Sequence, residues 1–198
     1  MENKLILHIG MPKTGTSAIQ GFLYDNRDRL NKYNISYPDL IEDMTKRGYV
    51  VATRPEGRTK NGVSLNHFRS WDNMECISPA VITEWNVYTD LINSYLKDSS
   101  VIISDEDLWC QGNNYVLIRE LKKICSNIEI IVYLRRQDLE IEAIWNQVVK
   151  RYGYCSLDFK DARERWENDR LVSYFEILSN IEKIVGLENM NIRVYEKS

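Results

Sequence analysis

The chain has 198 residues, the size of one globular domain with room for a single elaborated insertion. Hydrophobic residues make up 43% and charged residues 28%, a mixture too apolar for a disordered chain. With 26 basic and 29 acidic side chains the formal charge is −3, which excludes a general nucleic-acid coat or an anionic-membrane binder, because both need a basic excess. Any anion site must therefore be local.

Cys76, Cys110, Cys125 and Cys155 form no Cys-x-x-Cys pair, and two histidines do not complete a zinc site at usable spacing, so no metal is expected. The apolar stretch from Leu5 to Gly10 is too short for a signal-peptide core, and no run approaches the ~18 apolar residues of a membrane span. The expectation is a cytoplasmic chain with reduced thiols and no membrane span.

In chain order, Leu5 to Ile9 reads as a short β-branched strand, followed by a glycine-bearing loop and a helix with Ile19, Phe22 and Leu23 on one face. Asn34 to Tyr37 is a candidate fifth strand. Residues 38 to 63 show neither helical nor strand periodicity and carry Pro38, Gly48, Pro55, Gly57 and Gly62, the marks of a long surface excursion. Its charge is unusual: from Thr45 to Ser70, Lys46, Arg47, Arg54, Arg58, Lys60 and Arg69 stand against Glu56 alone, so 38–70 reads as an irregular basic excursion. Val81, Trp85, Tyr88, Ile92 and Tyr95 then repeat at helix spacing behind Ser78-Pro79, a cap and first-turn proline.

Val101 to Ile103 and Ile128 to Leu134 are the next strands. Ile141, Ile144, Trp145, Val148 and Val149 make a second helical stripe, and Leu171, Tyr174, Phe175, Leu178 and Ile181 a third that ends near Gly186. Asn191 to Tyr195 is the last strand. Strands alternating with helices predict an α/β fold: a P-loop-type, mostly parallel sheet of about 4–5 strands flanked by helices, as one domain over 1–198.

The chemistry concentrates in His8-Ile9-Gly10-Met11-Pro12-Lys13-Thr14-Gly15-Thr16-Ser17, which leaves the first strand and opens a helix. Glycines let such a backbone turn tightly, and the free amides of the following helix bind an anion with the help of the helix dipole. Gly10 and Gly15 have the spacing of a nucleotide triphosphatase loop, but Thr16 stands where that loop has its lysine. The lysine has moved to position 13. His8, in the middle of a strand, reads as a core histidine.

Pro12-Lys13-Thr14-Gly15-Thr16-Ser17 resembles the loop of the sulfotransferases that use 3'-phosphoadenosine 5'-phosphosulfate, and in particular of bacterial carbohydrate-modifying members. The resemblance implies that Lys13 contacts the bridging oxygen between phosphate and sulfate. It implies too that the amides from Thr14 to Ser17, with the hydroxyls of Thr16 and Ser17, hold the 5'-phosphate, with no metal required. Arg135, at the end of a strand and before a helix, matches the family's 3'-phosphate arginine. The serine expected eight residues on is Ala143 here, with Asn146 or Gln147 on the same helix face as substitutes.

A sulfate acceptor needs a general base, and Glu106, in Ser104-Asp105-Glu106-Asp107 just past a strand, is the candidate, with His67 as runner-up. His67, Arg54 and Arg58 would face the acceptor, a hydroxyl expected on a glycan. In the family more chain follows the last strand and closes on the nucleotide, so a truncated C-terminus is also an expectation. Two rival readings stand beside this one. One is a Mg-dependent P-loop kinase or triphosphatase, and the other a non-catalytic nucleotide-binding module derived from a sulfotransferase.

Overall fold

A computed structural model describes residues 2–11, 13–47, 79–105, 107–110, 114–152, 158–166 and 173–195. In chain order the elements are β1 (Leu5–Ile9), α1 (Thr16–Asp25), α2 (Arg27–Asn31), β2 (Ile35–Ser36), α3 (Leu40–Lys46), α4 (Pro79–Leu96) and β3 (Ser100–Asp105). Then follow α5 (Asp107–Cys110), α6 (Asn114–Ile124), β4 (Ile128–Leu134), α7 (Gln137–Tyr152), α8 (Phe159–Trp166), α9 (Tyr174–Val185), a 3-10 turn at Leu187–Asn189 and β5 (Met190–Val194).

The five strands form one sheet in the order β2-β3-β1-β4-β5, and every pairing is parallel. The expected α/β architecture is therefore the observed one. β1 is central, with Leu7 opposite Ile103 on one side and Ile130 on the other. Leu5, Leu7, Ile9, Ile130 and Val132 are buried, as a parallel sheet covered by helices on both faces requires. Among the described residues no helix is long and apolar enough to cross a membrane.

Several boundaries differ from the sequence reading. The strand expected at Val101 to Ile103 runs on through Ser104 and Asp105, which pair with His8 and Ile9. The strand at Asn34 to Tyr37 shrinks to two residues, because Asn34 takes a positive φ of 55° that ends the preceding turn. Phe22 and Phe175, placed on apolar stripes by periodicity, are both exposed; α1 buries Leu23, as expected, together with Thr16 and Gln20. The helices α6 and α8 carried no sequence expectation at all.

The largest correction is inside the excursion. Residues 40–46 are helical, started by Asp39, whose side chain accepts a hydrogen bond from the Glu42 amide at 3.0 Å. Leu40 and Met44, four apart, are buried, and the Tyr95 hydroxyl of α4 donates to Asp43 at 2.7 Å. Lys46, counted among the basic excess, pairs with Glu42 of the same helix at 2.7 Å. Only seven residues long, α3 makes less than two full turns, too short for periodicity to register.

If α3 is a core element, Met44→Ala should lower the unfolding free energy by about 2–5 kcal/mol through loss of buried volume, whereas Lys46→Ala should stay within about 0.5 kcal/mol. Urea denaturation of the two variants checks the contrast.

Candidate functional site

The turn out of β1 is set by what it cannot hold. A Cβ on Gly10 would stand 2.4 Å from the Thr16 hydroxyl oxygen and 2.8 Å from its methyl group, so only glycine lets the helix start this close to the strand. The Gly10 amide bonds the carbonyl of Asp105 at 3.3 Å, which fastens the turn to the end of β3. Met11 is fully buried beneath it. Thr14 closes the loop on itself: its hydroxyl donates to the Met11 carbonyl at 2.6 Å and its amide reaches the same oxygen at 3.4 Å.

Two consecutive demands on the backbone follow. Lys13 has φ 62° and Gly15 φ 82°, both in the left-handed region. Glycine adopts it freely, and a lysine held there is strained by roughly 1–3 kcal/mol, a feature that clusters at functional sites. The Lys13 side chain is exposed. Gly15 caps α1 with no side-chain hydrogen bond, and the amides of Gly15, Thr16 and Ser17 take part in no described hydrogen bond. The Thr16 hydroxyl is buried and likewise has no partner. Thr14, by contrast, has spent both its donors inside the loop, so the amides left for an anion begin at Gly15.

Arg135 reaches the loop from 122 residues away: its guanidinium donates to the Lys13 carbonyl at 3.3 Å. Arg136 instead pairs with Asp138 at 2.6 Å in the solvated manner of a helix start, so the two adjacent arginines have different employment. A third segment joins them. The Tyr195 amide extends the β4–β5 pairing by bonding Leu134 at 2.7 Å, and its ring lies 5.9 Å from the Arg135 guanidinium and 3.7 Å from where a Gly15 Cβ would be. Arg135 also lines a cavity of about 1140 Å³ whose other walls include Leu139, Phe159, Tyr174 and Val194.

Two buried ionisable groups lie behind this surface. His8 is bonded through Nδ1 to the Ser104 hydroxyl at 2.7 Å, while Nε2 has no partner, and burial pushes its pKa down to about 4. It is a neutral core residue, as its strand position suggests. Glu140, in the first turn of α7, is 1% exposed with neither oxygen hydrogen-bonded. Burial pushes its pKa up to about 7, against the pull of Arg135 and Lys13. The Tyr174 hydroxyl is a further buried group without a partner; burial first, and then the charge of Glu140, hold it above the usual phenol range.

Of the residues singled out from sequence, Lys13, Thr14, Gly15, Thr16, Ser17 and Arg135 come together at the carboxyl end of β1 and β4. Pro12, Glu106, His67, Arg54 and Arg58 lie outside the described residues. Ala143, Asn146 and Gln147 are half-buried on α7. Sequence reasoning missed Tyr195 and Glu140. The signal for Glu140 was there: it shares a helical face with Ile144, four residues on, where an apolar side chain is the rule. Among the described residues no group of histidine, cysteine, aspartate and glutamate could hold a metal ion.

The architecture is similar to that of solved sulfotransferases. A sulfotransferase from Alicyclobacillus acidocaldarius superposes with a TM-score of 0.54 at 13% identity, over 96% of this chain and 72% of that one. The sulfotransferase domain of the curacin biosynthetic pathway gives 0.47 at 11% identity, over 98% of this chain and 66% of that domain. The first likeness establishes the fold, which is sulfotransferase-like. No protein-family model and no curated protein sequence matches the chain.

Glu140 gives the site a measurable signature in the protein alone. The unfolded carboxyl titrates near 4.5 and the folded one near 7. Between these values the folded state keeps a proton that the unfolded state has released, so native stability falls as pH rises from 4.5 through 7 and the cost is complete above it. Glu140→Gln should therefore leave stability unchanged at pH 4.5 and raise it by about 1–3 kcal/mol at pH 8, as read by denaturant unfolding at the two values.

Proposed function

We propose that the chain transfers a sulfuryl group from 3'-phosphoadenosine 5'-phosphosulfate to a hydroxyl on a carbohydrate. The observation that carries the reading is the meeting of Lys13 and Arg135. Two segments that separately match the donor loop and the 3'-phosphate arginine are joined by a hydrogen bond, with the unpaired amides of Gly15 to Ser17 beside them. The chain spans 72% of the first solved sulfotransferase and 66% of the second.

The residues present fit such a donor. Thr16 has a buried hydroxyl without a partner, the start of α1 has free amides, and the cavity at Arg135 has volume for a nucleoside. When bound, the donor supplies a sulfuryl group activated as a phosphate–sulfate anhydride. The amides and the Thr16 and Ser17 hydroxyls hold its 5'-phosphate, using the dipole of α1. Arg135 holds the 3'-phosphate through charge-assisted hydrogen bonds. Lys13, kept outward by its left-handed backbone, stabilises the negative charge that develops on the departing phosphate oxygen. In this reading Glu106 takes the acceptor's proton, with His67 as the second candidate, and Arg54 and Arg58 attract an anionic glycan. The mechanism requires no metal.

Lys13→Ala should lower the rate of sulfuryl transfer by roughly two to three orders of magnitude without unfolding the chain, because an exposed loop cation acts in the transition state and not in the core. Arg135→Ala should remove the preference for adenosine 3',5'-bisphosphate over 5'-AMP. Radiolabelled sulfate transfer and calorimetric titration read the two. Transfer at the wild-type rate in the lysine variant overturns the assignment, and bisphosphate binding without any transfer favours a non-catalytic module.

A further inference from the structure

Sulfuryl transfer as described makes no use of Glu140. Its position on the inner face of α7 is one that leucine or isoleucine ordinarily fills, yet a carboxyl group is enclosed there with both oxygens unbonded. The charges that face it come from two elements. Arg135 at the end of β4 and Lys13 of the loop both favour its ionised form. From α9 the Tyr174 hydroxyl faces the same interior and feels the carboxylate's charge. On α7 itself Asp138 is paired with Arg136, while Glu142 lines the cavity together with Arg163 of α8.

The two cations facing Glu140 are the two assigned above to the donor's phosphates. They cannot serve both anions equally. Once phosphate oxygens occupy Lys13 and Arg135, a carboxylate behind them loses its counter-charge and gains a like-charged neighbour. A unit charge ~6 Å away at an effective dielectric near 20 changes a proton affinity by roughly a hundredfold.

We propose that Glu140 is a positioning residue of the donor site that works by proton uptake: as a carboxylate it faces Lys13 and Arg135 in the empty site, and as a neutral acid it releases both to an anionic bisphosphate nucleotide. The inference rests on the donor-site reading. One proton passes from solvent to a Glu140 oxygen as the nucleotide binds, and no bond of the nucleotide changes. Burial already places the carboxyl near pH 7, where a modest change of field converts most of the population.

The test is calorimetric titration of the full chain with adenosine 3',5'-bisphosphate at pH 7.5 and 8.5, each in two buffers of different ionisation enthalpy. Phosphate monoesters have a second pKa near ~6, so the nucleotide is fully ionised at both values and the buffer-dependent heat counts protons taken up by the protein. The wild type should take up about half a proton or more per nucleotide at pH 7.5, and its affinity should fall roughly three- to tenfold between the two pH values. Glu140→Gln should take up almost none, and its affinity should change by less than about twofold. Equal proton counts in the two proteins overturn the inference and leave the donor reading standing. Absence of bisphosphate binding in both proteins at either pH overturns the donor reading and the inference with it. Should the glutamine variant fail to fold, the wild-type count still decides, since zero uptake at pH 7.5 overturns the inference.

Discussion

Everything at the carboxyl end of the sheet depends on the closeness of Gly10 to Thr16. Because no side chain fits between them, the strand passes into the helix through a turn too tight for ordinary backbone; Gly15 takes its left-handed conformation freely, and the strain falls on Lys13. The same closeness buries the Thr16 hydroxyl, and the first amides of α1 take part in no described hydrogen bond. A looser turn could have hydrogen-bonded those groups internally. The donors beside Lys13 are thus ones that the fold leaves unpaired, and the Lys13 cation is carried on a strained backbone segment.

Around that loop the charges form two layers. Lys13 and Arg135 lie at the surface, with the Tyr195 ring against the arginine, while Glu140 lies in the interior behind them. When ionised, the interior carboxyl offsets part of the positive charge of the two cations, at the expense of a group whose charged form burial disfavours. His8, buried on the neighbouring strand, is neutral over the physiological range and takes no part in this balance.

The strands were legible because a buried parallel sheet writes itself as β-branched runs, and the loop because its residue types have few alternative uses. Lys13 and Arg135 were recognised by their resemblance to two separate motifs; their contact could not be read, since the hydrogen bond joins the carbonyl of one to the side chain of the other. What escaped were elements whose burial is set by neighbours. The seven residues of α3 carry too little pattern, and Phe22 and Phe175 follow helical spacing yet point where no partner stands. Tyr195 was read only as the end of a strand, because its role comes from the register that places it beside Arg135.

The central place of β1 has a bearing on the order of assembly. In chain order this strand precedes both of its neighbours, β3 and β4, whose register partners for Leu5 are Val101 and Ile128. β1 is paired on both sides only once β4 has followed it, and closing such long loops is slow and entropically costly. The phosphate-loop sequence thus exists in the nascent chain long before its geometry does. Through that interval an apolar strand, Leu5–Ile9, keeps at least one open edge, which exposes it to aggregation during synthesis.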